Sequence, residues 1–105
     1  MILKNNINML LGRKIKKSRE EQGVLQRQLA ALLDIDTPMF SKIERGERRA
    51  KREQVIKIAE YLHQDETELL SIWLADKILD VLEKEVSINL SAITIVKNEI
   101  ECNKN

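Results

Sequence analysis

An all-α fold is what this sequence predicts, on three observations. Apolar residues recur three and four places apart along most of the chain, the spacing that lines one face of a helix. The residues that fill strands are scarce: the only aromatics are Phe40, Tyr61 and Trp73, and there are three Gly and one Pro in 105 residues. The composition is rich in Leu, Ile, Lys and Glu and 43% hydrophobic, enough for a core at the length of one domain.

The elements follow in order. The first helix is expected from about Asn8 to Gln22, with Met9, Leu10 or Leu11, Ile15 and Ser18 inward and Arg13, Lys14, Lys16, Lys17 and Arg19 around them. Gly23 ends it, because glycine takes the left-handed backbone of a helix C-terminus without penalty. The second runs from about Leu25 to Leu33 and breaks at Asp34. Asp36 caps the third, with Thr37 and Pro38 in its first turn, where proline lacks only a hydrogen the helix would leave unpaired. The third runs to Glu44 or Arg45, and Gly46 closes it. The fourth covers about Arg52 to Leu62, with Val55, Ile58, Ala59 and Leu62 on one face. Asp65 caps the fifth, Glu66 to about Glu85, and Glu68 stands where a capping box needs an acid. Val86 to Glu101 reads both ways: SINLSAITIV alternates partly like a strand, while Ala92 or Ile93, Val96 and Ile100 fit a helix. With no strand partner elsewhere, helix is preferred. Asn103 to Asn105 should fray.

Composition and charge narrow the function. One cysteine, Cys102, makes no internal disulfide and fits a reducing cytoplasm. A single histidine, His63, with no second His or Cys at ligand spacing, predicts no metal site, and nothing in the sequence calls for a cofactor. In the opening MILKNNINMLLGRKIKK the basic residues follow a short apolar run, which is not the order of a secretory leader. No run approaches the ~18 apolar residues of a membrane span, so no membrane partner is expected. An enzyme would need a constellation of reactive side chains or a Gly-rich phosphate loop, and neither is found. Net charge is +1, but its distribution is uneven. Residues 1–52 hold 13 Lys and Arg against 6 Asp and Glu, and residues 53–105 hold 5 against 11. The first half therefore suits a polyanion and the second some other task. The expected division is 1–64 for the first unit and 65–105 for a helical segment packed on it.

The sharpest motif lies in QLAALLDIDTPMFSKIERGERRAKR. With Gln26 as the first place of a helix-turn-helix, apolar residues are needed at the fourth, eighth, tenth, fifteenth and eighteenth places, where Leu29, Leu33, Ile35, Phe40 and Ile43 stand. A small residue is needed fifth, where the helices approach most closely, and Ala30 stands there. The ninth favours glycine in a left-handed turn; Asp34 tolerates that backbone better than most non-glycines. A plain pair of amphipathic helices explains fewer of these places and neither the cap nor the basic exit.

Residues 9–62 resemble the phage repressor/Cro-like (XRE) helix-turn-helix family, through IKKSREEQG, QRQLAALLDID and SKIERG. The small size and appended helical segment are also similar to the controller proteins of restriction-modification systems. The resemblance implies a five-helix repressor-like domain that binds double-stranded operator DNA as a homodimer, with an extended C-terminal helical segment used for dimerisation. The third helix is then the recognition helix, whose N-terminal part enters the major groove. Thr37, Pro38, Ser41 and Lys42 occupy the base-facing places. Lys42 is able to donate to guanine, Thr37 and Ser41 to bond several base edges, and Thr37 or Met39 to touch a thymine methyl. Thr37 and Pro38 equally suit plain helix initiation. Pro38 offers no donor, so readout rests on Lys42, with Arg45 or DNA shape assisting.

Backbone contacts are expected from Gln26, Arg27 and Gln28 at the start of the second helix, and from Arg45, Arg48, Arg49, Lys51 and Arg52 after the third. Such contacts fix register and supply salt-dependent affinity. The family's Gln26 follows a capping Ser or Thr; here Leu25 precedes it. An acid beside DNA repels phosphate, and the resemblance assigns Glu44 instead to a structural ion pair with Arg19.

The fifth helix carries two apolar stripes, Leu70, Leu74, Ile78 and Val81, and Ile72, Ala75, Leu79, Leu82 and Val86. One should face the first and fourth helices. The other should face the last segment or a second copy of the chain. Ile72, Trp73, Leu79, Leu82 and Val86 are the candidate dimer interface, although Trp73 also reads as a core residue. Asp76, Asp80, Glu83 and Glu85 should keep this half away from DNA. Two functions compete: a transcription regulator on a palindromic operator, as repressor or autoregulatory controller, and an antitoxin-type protein whose C-terminal half binds a protein partner.

Overall fold

The computed structural model describes residues 10–103, and among these it holds six helices and no strand. They are α1 (Leu10–Glu21), α2 (Gln26–Leu33), α3 (Thr37–Glu44), α4 (Arg52–Tyr61), α5 (Glu66–Leu82) and α6 (Asn89–Cys102). The expected start of the first helix, Asn8 and Met9, lies outside the described residues. The segment that read both ways is helical, and α5 ends at Leu82, short of the expected Glu85.

Four of the helix ends share one device. Gly23, Asp34, Gly46 and His63 take left-handed backbones, with φ of 69°, 59°, 79° and 57°. After each, the next amide reaches back to a carbonyl five residues earlier: Val24 to Arg19 at 3.0 Å, Ile35 to Ala30 at 3.0 Å, Glu47 to Lys42 at 2.9 Å and Gln64 to Ala59 at 2.8 Å. These are Schellman closures, which satisfy carbonyls the helix leaves unpaired. Asp34 thus sits in the conformation its place in the turn demands. His63 does the same for α4, a role its sequence did not signal.

Helix starts are capped in two ways. Asp36 Oδ1 accepts from Met39 N at 2.8 Å, and Asp65 Oδ1 from Thr67 N at 3.0 Å. Leu25 and Lys51 begin α2 and α4 without a side-chain cap. Instead the glutamine at the third helical position turns back: Gln28 Oε1 accepts from Leu25 N, and Gln54 Oε1 from Lys51 N, each at 2.8 Å. Glu68 corrects an expectation, because its carboxylate faces Lys14 Nζ at 3.5 Å rather than closing a capping box.

The core is drawn from five helices. Leu11 and Ile15 of α1, Leu29, Ala30 and Leu33 of α2, Phe40 and Ile43 of α3, Val55, Ile58 and Ala59 of α4 with Leu62 after it, and Leu69 of α5 are all buried. Leu69 was in neither expected stripe. Ile72 and Trp73 pack partly against the same core, and Trp73 Nε1 donates to Ala50 O at 2.8 Å. Ile72 and Trp73, expected at a dimer surface, thus lean on their own domain. α5 packs on α1 and α4, the helices that one of its stripes was expected to face. Leu74, Ile78 and Val81 point to solvent. α6 buries none of its residues, and Leu90, Ile95, Val96 and Ile100 are exposed.

Candidate nucleic-acid interface

The turn from Asp34 to Asp36 folds α3 back against α2, and the motif places close the joint. Ala30, at the closest approach, is buried, as are Leu29, Leu33, Phe40 and Ile43, while Ile35 is partly so. A second close approach sets α1 against the end of α3. A Cβ placed on Gly12 would overlap the Glu44 carbonyl oxygen and come within 2.8 Å of its carbon. Sequence reasoning missed Gly12, whose only signal was a glycine inside a helical run.

Glu44 is the joint's polar centre. Its carboxylate accepts from Arg19 Nε at 2.7 Å, Arg19 Nη2 at 3.1 Å and Gln26 Nε2 at 2.9 Å. Arg19 Nη1 also donates to Val24 O at 2.9 Å. Arg19 and Glu44 are only 8% and 4% exposed. The expected ion pair is therefore present, two-pronged and buried, and Gln26 braces the same acid. One network ties α1, α2 and α3 together.

On the outer face of α3, Thr37, Pro38 and Lys42 are exposed. Ser41 is half-buried and accepts a hydrogen bond from Arg45 Nη1. Arg45 also grips Glu47, with Nε to Oε2 at 2.8 Å. This hydrogen bond raises the Arg45 pKa and lowers that of Glu47, whose carboxylate is held down further by the charges of Arg45 and Lys42. Gln28 is occupied by Leu25 N and by Tyr61 Oη, to which its Nε2 donates at 3.3 Å.

The basic loop is not uniform. Arg48, Lys51 and Arg52, together with Arg27, are exposed and form no ion pair among the described residues. Arg49 instead faces α5, with Nη2 3.5 Å from Asp80 Oδ2. Between the end of α3, this loop and α5 lies a crevice of about 220 Å³, lined by Ile43, Gly46, Arg49, Trp73, Asp76 and Asp80 among others.

Two of the acids expected to keep the C-terminal half away from DNA, Asp76 and Asp80, face the basic half. Asp76 is 5% exposed, and its Oδ2 accepts from Leu11 N at 3.1 Å. Its Oδ1 is buried with no partner among the described residues. Burial raises the Asp76 pKa above the ordinary 3.8, against the pull of the Leu11 amide and the Arg49 charge.

A family model described as a helix-turn-helix domain matches residues 10–71, which takes in α1 to α4 and the first turns of α5. No curated protein and no solved structure matches the chain. No described helix is long and apolar enough to cross a membrane.

Proposed function

Because the chain belongs to the helix-turn-helix domain family, in the XRE-like group of DNA-binding domains, we propose that it is a sequence-specific transcription regulator. It binds a palindromic operator as a homodimer and acts in the cytoplasm as a repressor or autoregulatory controller. The observation that carries this reading is the pairing of an exposed recognition face, Thr37, Pro38 and Lys42, with the exposed cations Arg48, Lys51 and Arg52 just beyond it. Bases are read from the first set, and phosphates are held by the second and by Arg27. The pairing surface we assign to a second copy is the outer face of α5, Leu74, Ile78 and Val81, with Leu79, Leu82 and Val86 beside it. Two-fold pairing sets the recognition helices about one DNA turn apart, ~34 Å.

The test is a titration of the purified protein against the DNA upstream of its own gene, at two salt concentrations. Lys42→Ala should lose sequence preference by ~1–3 kcal/mol at one position of each half-site. Arg48→Ala should weaken all sequences alike and reduce the salt slope by about 1. Weak binding that ignores sequence would turn the helix-turn-helix into a scaffold.

One observation favours a second reading, an antitoxin-type protein: α6 buries nothing and leaves Leu90, Ile95, Val96 and Ile100 exposed. Sedimentation of the full chain separates the two. A dimer supports the regulator; a monomer that becomes a tight complex only with a partner supports the alternative.

A further inference from the structure

We propose that Asp80 stands in for a DNA phosphate in the free protein, holding Arg49 until DNA displaces it. The inference rests on the DNA-binding reading above and adds α5 to the interface.

Arg45 is paired within the basic loop, with Glu47, whereas Arg49 is the member that is diverted to α5. Its neighbours Arg48, Lys51 and Arg52 are exposed and without ion pairs among the described residues, whereas its guanidinium lies 3.5 Å from the Asp80 carboxylate. The backbone at this point is pinned on both sides. The Glu47 amide closes α3 on the Lys42 carbonyl, and Ala50, 4% exposed, gives its carbonyl to Trp73. The loop backbone is thus held in place, while the Arg49 side chain stays 38% exposed to solvent.

The pair is built to exchange. Its side chains are 38% and 35% exposed, and a single long contact joins them. Ion pairs of that kind hold weakly in water. The Arg19–Glu44 pair shows the opposite design, with side chains 10% and 3% exposed and a 2.7 Å contact. A phosphate offers Arg49 a two-pronged partner of the same charge sign as Asp80. Binding then trades one anion for another, and Asp80 lowers affinity by the worth of the contact that is broken.

The experiment measures full-chain binding to a random-sequence duplex by fluorescence anisotropy at two salt concentrations, because phosphate contacts do not depend on sequence. Asp80→Asn should tighten binding by roughly two- to five-fold, the range an exposed pair allows. Arg49→Gln should weaken it, and adding Asp80→Asn to Arg49→Gln should then tighten binding no more than Glu85→Gln does. Glu85→Gln, the same charge change at an exposed residue outside the loop, should act equally with and without Arg49. An Asp80→Asn effect as large without Arg49 as with it would show a general charge effect and overturn the inference, as would unchanged or weaker binding by Asp80→Asn. Wild-type protein that binds no duplex would instead overturn the DNA-binding reading and this inference with it.

Discussion

Removing Glu44 tests the energetic centre of the domain. Glu44→Ala deletes the acceptor of three hydrogen bonds, at 2.7, 3.1 and 2.9 Å, from Arg19 and Gln26. Arg19, 8% exposed, keeps the Val24 carbonyl and only a distant contact, 3.9 Å, with Glu20. Taking one partner from a buried pair costs about 3–5 kcal/mol, because the other charge stays in the interior. Small domains have about 5–15 kcal/mol in all. At the lower figure the melting temperature should fall by about 12 °C or more. Urea unfolding followed by circular dichroism measures the loss, with an unchanged m-value showing that the unfolded state is not what moved. The double variant Arg19→Met, Glu44→Leu separates mechanism from mere damage. With no orphaned charge it should regain most of the loss. An unchanged melting temperature in Glu44→Ala, or a double variant no better than the single, would refute the account.

Three further substitutions test the remaining joints. Gly12→Ala forces a methyl into the Glu44 carbonyl, and overpacking of this kind costs about 1–3 kcal/mol, read as a lower urea midpoint; an unshifted midpoint would mean that α1 and α3 are farther apart than they stand here. Asp34→Gly relieves a left-handed non-glycine at φ 59°, and the gain, less the added freedom of the unfolded chain, should be up to about 1 kcal/mol; a loss would mean that the aspartate side chain contributes to the turn. Asp76→Asn acts on pH dependence. The folded chain holds the Asp76 proton more tightly than the unfolded one, so its contribution is present at low pH and is lost as pH climbs from 3.8 through the raised value. The asparagine variant should lack that decline; parallel wild-type and variant profiles of melting temperature against pH would contradict the burial argument.

What was legible in the sequence was local. Helix periods, the Asp36 cap and the left-handed turn at Asp34 depend on residues a few places apart, and their chemistry is specific. The Arg19–Glu44 pair was legible only through family resemblance, because nothing in either side chain names its partner. The orientation of α5 was not legible for a physical reason. Its apolar residues run round most of the helix, so periodicity cannot tell the fully buried Leu69 from the half-exposed Leu74. Asp76 misled for a related reason. An acid reads as surface unless paired, and its partner is the backbone amide of Leu11, which has no sequence signature. Gln28 and Gln54 were readable in principle, since a glutamine at the third helical position is half of a capping box, but neither has the Ser or Thr that usually announces one.

The charge asymmetry deserves a different interpretation from the one it first invites. A basic half followed by an acidic half reads as two surfaces with separate tasks. Yet three acids of α5 are turned toward the basic half: Glu68 faces Lys14, Asp80 faces Arg49, and Asp76 accepts the Leu11 amide. α5 is thus part of the DNA-binding unit in packing and in electrostatics, and only α6 stands apart. It follows that the net charge of residues 1–52 overstates the cations available to DNA. Salt dependence should track Arg27, Lys42, Arg48, Lys51 and Arg52, exposed and without ion pairs among the described residues, together with the Arg49 that DNA releases, rather than every Lys and Arg in that half. Charge changes on α5 should reach the DNA through the residue each acid holds, and those on α6 should not.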